Sequence, residues 1–434
     1  MKSANTVTAI SGSTEQVTMA VAAEMIRNNP GFEGRIPALT QQNLKDFGTA
    51  VLSYQPAQNE FIDTLVNLIG RVWIMSRLFQ NPLRVLKKGM LEFGDTVEMV
   101  YANLAKAHQF DPEQAETEWM KREIPDVSVA YAKRNYQVFY KSTISEEQLR
   151  AAFMGWSQMG SFINGVFQSM TNGAELDEYL AMLKLCENYG KDGKYFVVSI
   201  NPITDSDTAR NALAKIKAIS NKMSFMRSDY NSFGVLTCTP KERQVLIVDA
   251  EMDALLDVQA YAMLFNLEPA RAQYRKIVID EFPGVLGENG VRALLIDEDF
   301  YACWDNLTKF TKDMNAQGLY WQYWAHFWRI LAVCPFANAI VFTEDASTIT
   351  GVTVSPDAPS TGKGTTVQFT AAVTGTGIFT KNVSWSISGN SDPTTEITPL
   401  GVLIVGANES GSITVTAKST QDSTKTDTAT VTIT

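Results

Sequence analysis

The sequence predicts an α+β body followed by a separate all-β sandwich, and three observations carry that reading. Composition changes near Ala346: beyond it there is no Arg, Met, Cys, His or Tyr, while 22 of the last 89 residues are Thr. Before that seam, apolar residues at three-and-four spacing alternate with short β-branched runs, which mixes helix with strand. After it, apolar positions alternate at period two between Gly, Pro, Asn and Asp turns, the pattern of a β-sandwich. A chain of 434 residues also exceeds what one core organises, so more than one domain is expected.

Taken in order, residues 1–58 have mixed signals and read as an extended N-terminal arm with one short helix near Val17 to Arg27. From Asn59, the apolar residues Phe61, Ile62, Leu65, Val66 and Ile69 predict a helix, with Gly70 as a bend or cap. Between Gly94 and Lys141 a charged stretch with Pro112 and Pro125 is flanked by Thr96 to Tyr101 and Tyr136 to Tyr140, both alternating. This predicts a long two-stranded arm, which is not stable alone in water and needs a surface to lie on. A neighbouring subunit is the natural candidate.

Ser145 stands three residues before Gln148, a capping-box spacing. Leu149, Ala152, Phe153, Trp156, Met159, Ile163, Val166, Phe167 and Met170 come next on one helical face, and Leu176 to Leu183 extend the pattern towards Gly190. A long core helix over 145–190 is expected. Val245 to Val248, Lys276 to Ile279 and Ala293 to Ile296 read as buried strands, and Asp249 to Phe265 as helix. Leu319 to Trp328, dense in aromatic rings, predicts a long strand with much apolar area to bury. In the tail, Val352/Val354, Val367/Phe369/Ala371/Val373, Val383/Trp385/Ile387, Ile413/Val415/Ala417 and Ala429/Val431/Ile433 give the strands, with Trp385 as the expected anchor on a central one.

Composition bounds the function. The net charge is -10 with no cluster of Lys and Arg, so tight, specific DNA binding is not expected. Cys186, Cys238, Cys303 and Cys334 are far apart with no CxxC pair and read as reduced core thiols. No signal peptide and no apolar run of about 18 residues stands out, so no membrane partner is expected.

The side chains with chemical potential have structural readings. The two histidines, His108 and His326, accompany no nucleophile motif. Asp249-Ala250-Glu251-Met252-Asp253 spaces its acids like the start of a calcium loop, but Ala254 stands where that loop needs Gly; acids complementing a helix dipole fit better. Asp297-Glu298-Asp299 reads as a solvated turn after a strand. Gly362-Lys363-Gly364-Thr365 lacks the Ser or Thr that a phosphate loop places after its Lys, and reads as a loop between sandwich strands. No catalytic, cofactor-binding or metal residue is nominated, no cofactor is expected, and the chain reads as a non-enzyme.

Several runs together resemble the major capsid proteins of phi-29-like small tailed phages. They are Asn81-Pro82-Leu83 with Lys87-Lys88-Gly89, Phe110-Asp111-Pro112-Glu113-Gln114-Ala115-Glu116, Arg134-Asn135-Tyr136-Gln137-Val138-Phe139-Tyr140, Gly318-Leu319-Tyr320-Trp321 and Phe336-Ala337-Asn338-Ala339-Ile340. The tail is similar to a bacterial Ig-like domain of the second type at Val352 to Pro356, Gly364 to Thr370, Val383 to Ser386 and Ile413 to Ala417. The resemblance implies a Hong Kong 97-type fold in a capsid body at 59–345. Within it, 94–141 is the extended loop over a neighbouring subunit, 145–190 the spine helix, about 195–300 the axial domain, and the rest the peripheral domain, with the Ig-like domain at 346–434.

For function, the resemblance implies a virion protein, assembled in the bacterial cytoplasm, that closes on itself through pentamers and hexamers. It encloses double-stranded DNA in an icosahedral or prolate head without reading its sequence, with a scaffolding protein and a portal or connector as further partners. Some relatives of the broad fold crosslink through Lys and Asn; no such pair is identified in this chain. The tail is expected outside the shell, displayed on a linker, so that removal after Glu344 permits assembly. A cell-surface or phage-tail adhesin with an Ig-like domain is the alternative, and a carbohydrate-active enzyme the third reading.

Overall fold

The structure, a computed structural model, describes residues 14–72, 79–105, 107, 127–163, 169–261 and 275–434. The N-terminal part is helical rather than extended: α1 (Thr14–Asn28), α2 (Leu44–Leu52) and α3 (Gln55–Val72) succeed one another. Val21, Met25, Phe47, Val51, Phe61, Ile62 and Leu65 are all fully buried in one cluster. Burying such side chains contributes about 1.5–3 kcal/mol each, which an extended arm would forgo. Helix α3 starts four residues before Asn59 and runs through Gly70 without ending there.

The predicted hairpin exists with a different partner. Strand β1 (Thr96–Ala102) pairs antiparallel with β2 (Val127–Lys133), from Thr96 opposite Lys133 to Ala102 opposite Val127. The Tyr136 run belongs instead to β3 (Tyr136–Ser145), which pairs with a strand far along the chain, β9 (Tyr320–Val333). The helix expected over 145–190 is segmented. The capping box at Ser145 and Gln148 starts α4 (Glu146–Ala152), which ends at Phe153; α5 (Trp156–Ile163) restarts after Gly155, and α6 (Ser169–Lys191) is the long helix. Val166 and Phe167 lie outside the described residues.

Beyond α6, five strands form one mixed sheet: β4 (Phe196–Ser199), β5 (Gln244–Asp249), β6 (Arg275–Ile279), β7 (Val291–Asp297) and β10 (Ala339–Thr343), in the order β4-β10-β7-β5-β6. Strands β5 and β10 are buried at every position, as a sheet covered on both faces requires. Helix α6 covers one face through Tyr179, Leu183 and Tyr189. Helix α7 (Ser206–Met223) and helix α8 (Ala250–Tyr261) cover the other through Ile216, Met223 and Met252. Strand β6 is only half buried, because Lys276 and Val278 face outward on the edge.

A short helix α9 (Gly284–Glu288) precedes β7, and β8 (Tyr301–Asn315) completes the other body sheet, in the order β3-β9-β8. The aromatic run is its central strand, alternating strictly between buried Trp321, Tyr323, Ala325 and Phe327 and half-buried Gln322, Trp324, His326 and Trp328.

The tail is all-β. Strands β11 (Thr348–Ser355), β12 (Ser360–Thr361), β13 (Thr366–Gln368), β14 (Thr370–Thr376), β15 (Val383–Ser388), β16 (Glu396–Ile397), β17 (Val402–Ile404), β18 (Ser412–Ser419) and β19 (Thr426–Ile433) enclose Val354, Phe369, Leu403, Ile413, Val415 and Val431. Trp385 sits on β15, the edge of the β12-β19-β18-β15 sheet, and is half buried. The anchor at the centre is Phe369, 1% exposed, against which the Trp385 ring packs at 6.2 Å.

Candidate assembly surfaces

The arm hairpin has two unlike faces, because neighbouring residues on a strand point to opposite sides. Towards the body, the Tyr101 ring stacks on Phe336 at 5.8 Å between centroids and its hydroxyl donates to the Leu236 carbonyl. Away from the body, Val100 stands opposite Val129 and Ala102 opposite Val127, and Val100, Val127, Val129 and Tyr131 are all exposed. The Tyr131 hydroxyl donates to the Glu98 carboxylate at 3.2 Å.

The root of the hairpin is closed by the Arg134 N–H donating to the Asp95 carbonyl at 2.7 Å and by one side-chain amide. Asn306, 8% exposed on β8, donates through Nδ2 to the carbonyls of Leu91 (3.0 Å) and Gly94 (2.8 Å), and its Oδ1 accepts from Arg134 at 2.9 Å. One side chain therefore ties together the strand entering the arm and the strand leaving it.

The β3-β9-β8 sheet offers a second surface on the side opposite α6. Phe139, 59% exposed, lies over His326 with ring centres 5.8 Å apart, and His326 shares a hydrogen bond between Nε2 and Thr311 Oγ1 at 3.0 Å. The Arg134 guanidinium covers Trp328 at 4.8 Å and the Lys141 ammonium covers Trp324 at 5.9 Å. Such cation-ring contacts leave the aromatic faces partly covered yet reachable by another molecule.

Beneath this sheet a buried ionic network locks α6 to the strands. Arg329 Nη2 meets Glu178 at 2.7 Å, Arg329 Nε meets Asp305 at 3.1 Å, and Lys87 bridges Glu178 (3.1 Å) and Asp305 (2.7 Å). Asn81 donates from Nδ2 to Glu178, and Arg84 pairs with Glu175. Lost pairing here would leave charges without water, which is costly.

The residues weighed for chemistry fall elsewhere. His108 lies outside the described residues. His326 belongs to the aromatic face. Asp249 accepts from the Met252 N–H at the start of α8 and shares Arg292 with Glu251 and Glu344. Burial works against the charge on that guanidinium, but the three carboxylates together outweigh it and hold Arg292 protonated more firmly than a free Arg. Asp253 pairs with Lys276. Asp297 accepts from Thr239 and Arg243, and Asp299 pairs with Lys88 and Arg243. Gly362 to Thr365 form the turn between β12 and β13. Burial raises the thiol pKa of Cys186 to about 11 and of Cys303 to about 12, so both stay protonated. Among the described residues no group of three His, Cys, Asp or Glu side chains is placed to hold a metal ion, and no helix is long and apolar enough to cross a membrane. Asn306, Arg329 and Glu178, which organise both surfaces, drew no attention in the sequence, where single polar residues inside apolar patterns look solvent-facing.

Comparison with known proteins adds to this geometry. The model of the Phi29-like phage major capsid protein family matches residues 23–343. The major capsid protein of Bacillus phage PZA is 37% identical over 398 residues, covering 90% of this chain and 88% of the relative; that of Bacillus phage B103 is 36% identical over 399 residues with the same coverage. The major capsid protein of Streptococcus phage Cp-1 is 26% identical over 334 residues, 72% of this chain and 90% of the relative. Among solved structures, the capsid of Staphylococcus phage Andhra superposes with a TM-score of 0.50 at 13% identity, covering 63% of this chain and 86% of that one. Its likeness is one of fold, the Hong Kong 97-type capsid fold. With two sheets, a long helix and a rooted hairpin in place and the family model spanning most of the chain, this protein belongs to the Phi29-like phage major capsid proteins.

Proposed function

We propose that copies of this chain close into the head of a tailed phage by burying the outer face of each arm hairpin, and the aromatic face of each β3-β9-β8 sheet, against neighbouring copies. The observation that carries this reading is the outer hairpin face, where Val100, Val127, Val129 and Tyr131 are exposed together on a two-stranded ribbon. A lone ribbon of this kind is marginal in water, and a contiguous apolar face marks a place where another protein sits. Repeating a modest contact at every subunit gives a shell that is strong in sum while single errors can dissociate.

Under this reading the body divides into an extended loop that ends at Lys133 rather than Lys141, since Tyr136–Ser145 lies in the body sheet, the long helix α6 as spine, an axial domain around the five-stranded sheet and a peripheral domain around β3-β9-β8. The Ig-like reading of the sandwich, its place outside the shell, the pentamers and hexamers, and partnership with scaffolding and portal proteins belong to the same proposal. The acidic balance of the chain suits a container from which DNA must be able to leave, since few cations are there to hold phosphates.

Deleting Thr96 to Lys133, both strands of the ribbon with the stretch between them, tests it, since Asp95 and Arg134 already meet at its root. Subunits should remain folded by circular dichroism yet give no shells in negative-stain microscopy, with a scaffolding partner present or absent. Normal shells from the deletion would sink the reading, and fibres from the intact protein would favour an adhesin instead.

A further inference from the structure

Helix α6 ends in a glycine stop that the sandwich completes. Gly193 has φ of +67°, and the N–H of Lys194 reaches back to the Tyr189 carbonyl at 3.2 Å, the geometry of a helix terminated by a left-handed residue. The carbonyls at such an end need donors. The turn between β14 and β15 supplies one and pins the stop itself: Lys381 Nζ donates to Lys191 O at 3.2 Å, while Lys381 N–H at 2.6 Å and Thr380 Oγ1 at 3.3 Å donate to the carbonyl of Gly193, just past the helix. The Lys381 ammonium also places a positive charge at the negative pole of the helix. Asn382 Nδ2 adds a bond to Asn231 O at 3.3 Å.

The same turn enters the body's apolar core. Ile378 is 5% exposed and belongs to the cluster that holds Tyr189, Tyr195, Leu286 and Phe300, not to the sandwich's own. The approach is closest at the helix end: a Cβ on Gly193 would stand 2.6 Å from Lys381 Cγ and 3.1 Å from the Phe379 carbonyl oxygen, while one on Gly190 would meet Ile378 Cδ1 in ordinary contact at 3.6 Å. The two parts are joined by only a few residues, since β10 ends at Thr343 and β11 begins at Thr348.

We propose that the C-terminal sandwich is a built-in clamp of the body, which caps the spine helix and fills its core, so that the body reaches full stability only with the sandwich attached. This reverses the sequence-based expectation of a tail that can be removed after Glu344 without loss. A domain merely displayed on a linker would keep its aliphatic residues in its own core and leave the helix end to water.

Scanning calorimetry of the full-length subunit tests it, with Ile378→Ser and Lys381→Ala beside the parent. The parent should melt in one transition. Ile378→Ser should split it, with the body's part lowered by roughly 5–10 °C, and Lys381→Ala should lower it less. A truncation after Glu344 should bind a hydrophobic dye at its uncovered core. Two independent transitions in the parent, or a body transition unmoved by Ile378→Ser, would overturn the proposal. Failure of the truncation to fold agrees with the clamp, and normal shells at unchanged melting temperature from it contradict the clamp.

Discussion

Arg329 on β9 holds the Glu178 carboxylate of α6 at 2.7 Å, with the two side chains 5% and 2% exposed. Lys87 and Asp305 complete the network, so helix α6 and the sheet are joined by charge as well as by apolar packing. Replacing Arg329 by Met leaves Glu178 buried with one cation fewer and is expected to cost about 3–5 kcal/mol, read as a lower urea midpoint. Combining it with Glu178→Gln should cost less than the sum of the two, since the charge left stranded by the first change is removed by the second.

Glu409 is the second electrostatic knot, inside the sandwich. Its carboxylate accepts from the Ser391 and Thr395 hydroxyls and from the backbone N–H groups of Ser391 and Asp392, bonds that hold its pKa down at about 2. A depressed carboxylate stabilises the folded form above its ordinary value near 4.5, and that contribution is lost as pH falls towards 2. The melting temperature of the parent should therefore fall between pH 4.5 and 2, and Glu409→Gln should be less stable at pH 7 but flatter over that window.

Ser145 opens α4 with a reciprocal cap: its Oγ accepts from the Gln148 N–H at 3.2 Å, and Gln148 Oε1 accepts from the Ser145 N–H at 3.1 Å. Ser145→Ala should cost about 1 kcal/mol in chemical denaturation. Both bonds lie at the surface, so the cost should not grow further with apolar repacking.

On the arm, Val100 and Val129 face each other on the uncovered side. The double change Val100→Ser with Val129→Ser should alter subunit stability by no more than about 1 kcal/mol, while the yield of closed shells by sedimentation falls at least tenfold. A yield equal to the parent's would show that this side stays uncovered in the head.

What the chain reveals of itself depends on where the deciding contact lies in sequence. The Ser145 cap, the Leu319 to Trp328 strand and the alternation of the tail are local patterns, and each was legible. The partner of Thr96 to Ala102 was not, because Val127 to Lys133 and Tyr136 to Tyr140 share the same period and a period does not specify a partner. The broken helix after Ser145 was hidden by apolar spacing that continues across Gly155. Residues 14–58 looked like an arm because their helices are short, and their stability comes from Phe153, Trp321 and Tyr323, remote in sequence. Among assembly surfaces, the arm was legible from the charged stretch between its two alternating segments, whereas Asn306 and Arg329 matter only through what they meet in three dimensions.

The pairing of β3 with β9 sets a schedule for the nascent chain. Tyr136 must wait for Arg329, and Ser145 for Tyr320, so strand β3 leaves the ribosome long before its partner exists. At about 5–20 residues per second the wait is on the order of ten seconds or more. During that time the five-stranded sheet cannot close either, because its strand Ala339–Thr343 comes later still. A chain arrested before Tyr320 therefore has neither the partner of β3 nor the strand Ala339–Thr343 of the five-stranded sheet.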